Sequence, residues 1–321
     1  MDQQLALGRA IAEQRRRRGL SQPELARLLD QPPSWVSQVE RGLVPVDAMS
    51  LLGAVASALG MPLPLDRSGA SSRPAASPAI TGALRYIASG DCQRRAWPTR
   101  GSTPTTGSAG LRARADQAWG LARGRHYGEL AALLSDLLPH LQDALDAAPG
   151  QQDRIVLQEV LATSYQACAA ALAKLGELQS AKAAASRALT AAQRAGDVLL
   201  AAASAYLLTR VLLEAGRFAQ AEETASKAMA ALARPAGDGV AEAISLRGAL
   251  ALLRALTAAR CGDPPAAGEQ LGVARQMARR LRDVGRASGL GLSPDRIALY
   301  EAAVSIQASQ GHLSREQDAA S

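Results

Sequence analysis

The segment 19–42, GLSQPELARLLDQPPSWVSQVERG, constrains this chain more than any other. It predicts two short helices joined by a tight turn. Ser21 stands where a helix N-cap belongs, and Glu24 follows three residues on, the spacing of a capping box. Pro23 falls in the first helical turn, where a missing N–H costs nothing. Leu25, Leu28 and Leu29 then form an i, i+3, i+4 stripe, which predicts one buried face. After a break at 30–33, Val36 and Val39 repeat at i+3, and Gly42 is placed to close the second helix. Helices this short bury too little surface to stand alone, so they must dock on neighbours. Helical patterns at 5–18 and 47–59 supply those neighbours.

The order of small, apolar and polar residues over 5–63 resembles the helix-turn-helix domain of phage repressors and Cro proteins, the Cro/C1-type or XRE family. The residues that carry the resemblance are Arg15, Gly19, Leu20, Ser21, Gln22, Glu24, Leu25, Ala26, Val36, Glu40, Arg41 and Gly42, with a tail of Leu51, Leu52, Ala58, Leu59 and Gly60. The resemblance implies a small lambda-repressor-like fold that reads double-stranded DNA. It implies that Gln22 opens the first motif helix and donates to a phosphate. It sets Pro33, Ser34 and Gln38 along the second helix, facing the major groove. Trp35, Ser37 and Arg41 join the expected DNA-contacting set, Trp35 against the sugar-phosphate backbone or a dimer partner. A Gln amide donates and accepts together, which matches the N6/N7 edge of adenine. Pro33 departs from the polar residue usual there and is left a thymine methyl to touch. By the same resemblance Arg15 pairs with Glu40 to tie the first helix to the end of the recognition helix. Arg16, Arg17 and Arg18 complete a run of four arginines whose directions differ by ~100° per residue, so they cannot share one task.

Charge alone would not point to nucleic acid. The chain carries a net +7, but residues 1–62 hold seven Arg against six Asp or Glu. Only three of the 36 basic residues are Lys, and alanine dominates, a bias that GC-rich codons produce, as in a high-GC bacterium. Aromatics make up only 3%, which predicts cores built by close helix approach rather than ring packing. Cys92, Cys168 and Cys261 are odd in number and form no CxxC pair, as expected of reduced thiols in a cytoplasmic protein. Uncharged helical runs such as 198–209 are short of the ~20 residues a membrane span needs.

A stretch rich in Pro, Gly, Ser and Thr follows the motif and predicts a flexible linker over 64–110. A short helix at 81–89 interrupts it, and Trp97 with Arg94 and Arg95 stands in its second half. From 111 onward the pattern is helical throughout. Gly176, Leu178, Ala181, Ala185 and Ala188 recur in kind as Gly216, Phe218, Ala221, Ala225 and Ala228. They recur again as Gly262, Pro264, Ala267, Leu271 and Ala274. A weaker copy begins at Gly124, with His126, Glu129 and Leu133. The pattern resembles a degenerate tetratricopeptide repeat with lengthened helices. A last helix pair, 294–309 and the tail beyond Gly311, is placed to cap the array.

Catalysis finds no foothold. His126, His140 and His312 lack partners at metal-ligand spacing, and no P-loop, GxSxG or Rossmann glycine pattern occurs. No cofactor, metal or enzymatic role is expected. The expectation is an all-α, cytoplasmic transcriptional regulator. It has a helix-turn-helix domain at 1–63, a linker at 64–110 and a tetratricopeptide-like α-solenoid at 111–321. Its partners are a DNA operator, a second copy of the chain, and a peptide or protein ligand of the solenoid. Two other readings stay open at this point, an interaction adaptor that no longer binds DNA and the antitoxin of a toxin–antitoxin pair.

Overall fold

A computed structural model describes residues 2–61, 63, 76–90, 108–233, 240–283 and 292–319. The described residues are helical with no strands, and the class is all-α. Four helices form the N-terminal end: α1 (Asp2–Arg17), α2 (Gln22–Leu28), α3 (Pro33–Glu40) and α4 (Met49–Ala58). Then come α5 (Pro78–Ser89), α6 (Ser108–Gly124), α7 (Tyr127–Ala147), α8 (Gln151–Leu175), α9 (Leu178–Ala195) and α10 (Val198–Glu214). The chain finishes with α11 (Phe218–Ala231), α12 (Val240–Arg260), α13 (Pro264–Asp283) and α14 (Pro294–Ala319).

Packing groups these helices into two compact units. One unit gathers α1–α4 with α12–α14 and the first half of α11, and the other gathers α5–α10 with the end of α11. In the first unit α14 lies against both α1 and α4. Gln14 Nε2 donates to Asp295 Oδ2 at 2.8 Å, Arg17 Nη1 lies 3.8 Å from the same oxygen, and Ser305 Oγ donates to Gln3 Oε1 at 3.3 Å. The last helix also runs unbroken from Pro294 to Ala319, so Gly311 does not divide it as the sequence suggested.

In the second unit helix α5, Pro78–Ser89, begins three residues before the short helix expected at 81–89. Ser77 caps it, its hydroxyl accepting from the Ile80 amide at 3.4 Å, and Leu84, Ile87 and Ala88 are fully buried against α7, α8 and α9. An amphipathic face of three apolar residues outweighs the flanking Pro, Gly and Ser. Cys92, Arg94, Arg95 and Trp97 lie outside the described residues.

The helical repeats take one form. Gly176, Gly216 and Gly262 adopt positive φ (81°, 69° and 76°), turning the chain into the next helix. Ala181, Ala221 and Ala267, five positions on, are fully buried. The weaker copy is out of register by one residue. Arg125, with φ 63°, takes the left-handed place expected of Gly124, and Tyr127, Leu130 and Leu134 then fill the apolar positions, while Glu129 is exposed. The seven buried residues of α9 are all alanine, so α8 and α10 approach its backbone closely. Helix α8 is long and apolar enough to cross a membrane by length and composition, but 67% of that stretch is buried inside the protein.

Candidate nucleic-acid interface

Helices α2 and α3 meet across a turn whose one strained residue is Asp30, at φ 53°. Asp is among the residues that tolerate this region. The Gln31 amide returns to the Ala26 carbonyl at 2.9 Å, and the chain enters α3 through Pro32 and Pro33. At the start of α2 the capping box is complete. The Ser21 hydroxyl accepts from the Glu24 amide at 3.3 Å, and the Glu24 carboxylate accepts from the Ser21 amide at 2.7 Å. Hydrogen bonds from the Ser21 side chain and then its backbone hold the Glu24 carboxyl below its usual range.

The buried face of α2 is Leu25, Ala26 and Leu29. Leu28, expected in that stripe, is 59% exposed. The seven-residue helix sets its face by what it packs on, and Ala26 rather than Leu28 meets the core. On α3 the buried residues are Val36 and Val39. Opposite them Pro33, Ser34, Gln38 and Arg41 are exposed and Ser37 is half-buried. Positions 33, 37 and 41 form one i, i+4 row, and 34 and 38 form the row beside it. These five residues therefore present one continuous face to solvent. Trp35 is half-buried at the edge of that face.

The end of α3 is fixed by a carboxylate. Arg15 donates through Nε to Glu40 Oε1 at 2.6 Å and through Nη2 to Glu40 Oε2 at 3.0 Å, a bidentate pair. Its Nη1 donates to the Leu20 carbonyl at 2.7 Å. The side chains of Arg15 and Glu40 are only 10% and 6% exposed. The hydrogen bond to Glu40, helped by its charge, raises the Arg15 pKa against the opposing effect of burial. Gln22 is a third member that the sequence did not reveal, its Nε2 donating to Glu40 Oε2 at 2.8 Å. Nothing local signals a contact across eighteen residues between the first turn of α2 and the last of α3. An amide has two N–H donors, so this bond leaves Gln22 one N–H besides its carbonyl. The approach of α1 to this end requires glycine at position 8. A Cβ there would meet the Val39 and Glu40 carbonyl oxygens at 2.3 and 2.7 Å.

The remaining arginines of the run separate. Arg17 Nε donates to Glu13 Oε1 at 3.1 Å, and Arg18 Nη1 donates to the Ala58 carbonyl at 2.9 Å, fastening α1 to the end of α4. Among the described residues no group of three His, Cys, Asp or Glu is placed to hold a metal ion.

A family described as "Helix-turn-helix domain" matches residues 6–67. The N-terminal end is an XRE-type helix-turn-helix domain. No curated protein sequence matches the chain. Among solved structures the chain is similar to PlcR of Bacillus thuringiensis, determined in complex with the peptide PapR7 and DNA. The identity is 15%, over 88% of this chain and 97% of that one, with a TM-score of 0.34. A likeness that distant carries no argument. The helix-turn-helix assignment stands on the family match and on the α2–turn–α3 geometry.

Proposed function

We propose that the protein is a sequence-specific, DNA-binding transcriptional regulator that works in the bacterial cytoplasm as a homodimer, and that its helical repeats receive a peptide or protein partner. Helix α3 enters the major groove. Gln38 and Ser34 read base edges, Pro33 meets a methyl group, and Ser37, Trp35 and Arg41 flank them on the backbone side. Gln22 serves two purposes, steadying Glu40 with one N–H and offering the other to a phosphate. The observation that carries this reading is the division of α3 into two faces. One is buried and locked by the Arg15–Glu40–Gln22 cluster, and the other is polar and open. A rigidly held helix with an open polar face is what base recognition needs, because positioning cannot be left to the side chains.

The test is an operator selected from random duplexes by the full-length protein. Gln38→Ala should then cost ~1–3 kcal/mol of affinity and relax the preference at one base pair. Unchanged affinity and unchanged preference would remove α3 as the reading helix. Failure to select any sequence would leave the chain an interaction adaptor.

A further inference from the structure

We propose that the groove between α7, α8 and α9 binds a short acidic peptide, about five residues long, in extended form. The proposal deepens the partner-binding half of the reading above and rests on it. The groove has a volume of ≈ 620 Å³, within the ~300–1,000 Å³ range of ligand sites. Along α8 its wall is Arg154, Gln158, Leu161 and Tyr165, steps of four, three and four that align on one helix face. Helix α9 contributes Arg187 and Arg194, and α7 contributes one lining carboxylate, Asp146.

Cations therefore outnumber anions in the lining by three to one. Arg154 and Arg194 are exposed and pair with no carboxylate among the described residues. Arg187 is held ready. Its Nε donates to the Ala88 carbonyl at 3.1 Å, its Nη2 to the Ser89 carbonyl, and its guanidinium lies 6.0 Å from the centre of the Tyr165 ring. The last turn of α5 thus fixes this arginine at the Tyr165 end of the groove. Gln158 places a side-chain amide in the wall between the two cationic ends.

Separation decides the ligand class. Arg154 and Tyr165 are eleven residues apart on one helix, roughly 16 Å at the α-helical rise. A single small anion cannot meet both ends. An extended peptide spans that distance in about five residues, setting a carboxylate at each end and its amides against Gln158.

The probe is fluorescein-labelled Glu-Leu-Ala-Leu-Glu, titrated by anisotropy against the full chain, with the Gln-Leu-Ala-Leu-Gln analogue as control. The acidic peptide should bind about tenfold or more tightly than its neutral analogue, and Arg154→Ala with Arg194→Ala should abolish that preference. The charge-reversed pair Arg154→Glu and Arg194→Glu should instead favour Lys-Leu-Ala-Leu-Lys, with helicity checked by circular dichroism. Equal affinity of the acidic and neutral peptides, a preference that survives charge reversal, or full displacement by succinate would overturn the proposal. A gel shift on the same preparations reports DNA binding independently, so loss of the groove and loss of the regulator reading are distinguishable.

Discussion

The end of α3 is fixed by one carboxylate that takes hydrogen bonds from two other helices, whereas α9 is fixed by seven alanines that make no directional bond at all. The first arrangement sets orientation. A buried carboxylate tolerates only a narrow geometry, so α1, α2 and α3 are held in one register about Glu40. The second sets distance. Small side chains let backbones approach, and the interface gains from many weak contacts rather than a few strong ones. The two should fail in opposite ways, the charged cluster when a group is removed and the alanine seam when volume is added.

Removal at the cluster has the largest expected effect. Arg15→Ala strands a buried carboxylate and should destabilise the helix-turn-helix domain by ~3–5 kcal/mol. Hydrogen exchange on the full chain should show lost protection in α1–α3. Arg17→Ala, at a side chain 59% exposed, should change stability by less than ~0.5 kcal/mol. Equal losses from the two would mean that the cluster is not what holds α3. Volume added to the seam comes next. Ala185 is fully buried, and Ala185→Leu should cost ~1–3 kcal/mol by overpacking. Ala185→Gly should cost only ~0.5–1 kcal/mol through backbone entropy. Urea unfolding that ranks the glycine variant lower would break the comparison.

The smallest effect is a pH dependence at Lys174. Burial first, and then the neighbouring charges of Arg125, Arg210 and Arg123, lower its pKa below the ordinary 10.5. Below the folded-state pKa both states are protonated and the full penalty of the charge is present. As pH rises through that pKa the folded state releases its proton before the unfolded state does, so stability increases until both are neutral. The urea midpoint of the wild type should therefore gain on that of Lys174→Met as pH rises toward the ordinary lysine value of 10.5. A gap that stays constant with pH would show that Lys174 is solvated like any surface lysine.

What the sequence disclosed was local. Ser21 and Glu24 signal their capping box within four residues, and the glycine turns before α9, α11 and α13 announce themselves by the small residue that follows. The exposed row on α3 is legible because Val36 and Val39 fix the opposite face. What it hid depended on packing between distant segments. Leu28 looks like core until Ala26 is seen to take its place. Gly124 draws the eye as a turn residue, yet Arg125 makes the left-handed turn, because only then does Leu130 fall on the buried face. The α5 segment reads as a short helix within a linker, and its burial follows from helices that begin thirty residues or more later. The bond from Gln22 to Glu40 has no signature in either helix alone.

The bond from Gln14 to Asp295 spans 281 residues, and that separation matters while the chain is being made. At elongation rates of ~5–20 residues per second, roughly 15 to 55 seconds pass between the synthesis of α1 and the arrival of its partner. During that interval the face of α1 that meets α14 stays open to solvent, to chaperones and to neighbouring nascent chains. A ribosome stalled before codon 294 would hold a reading head whose outer wall has yet to be built, and protease sensitivity of α1 in such stalled complexes would report it directly.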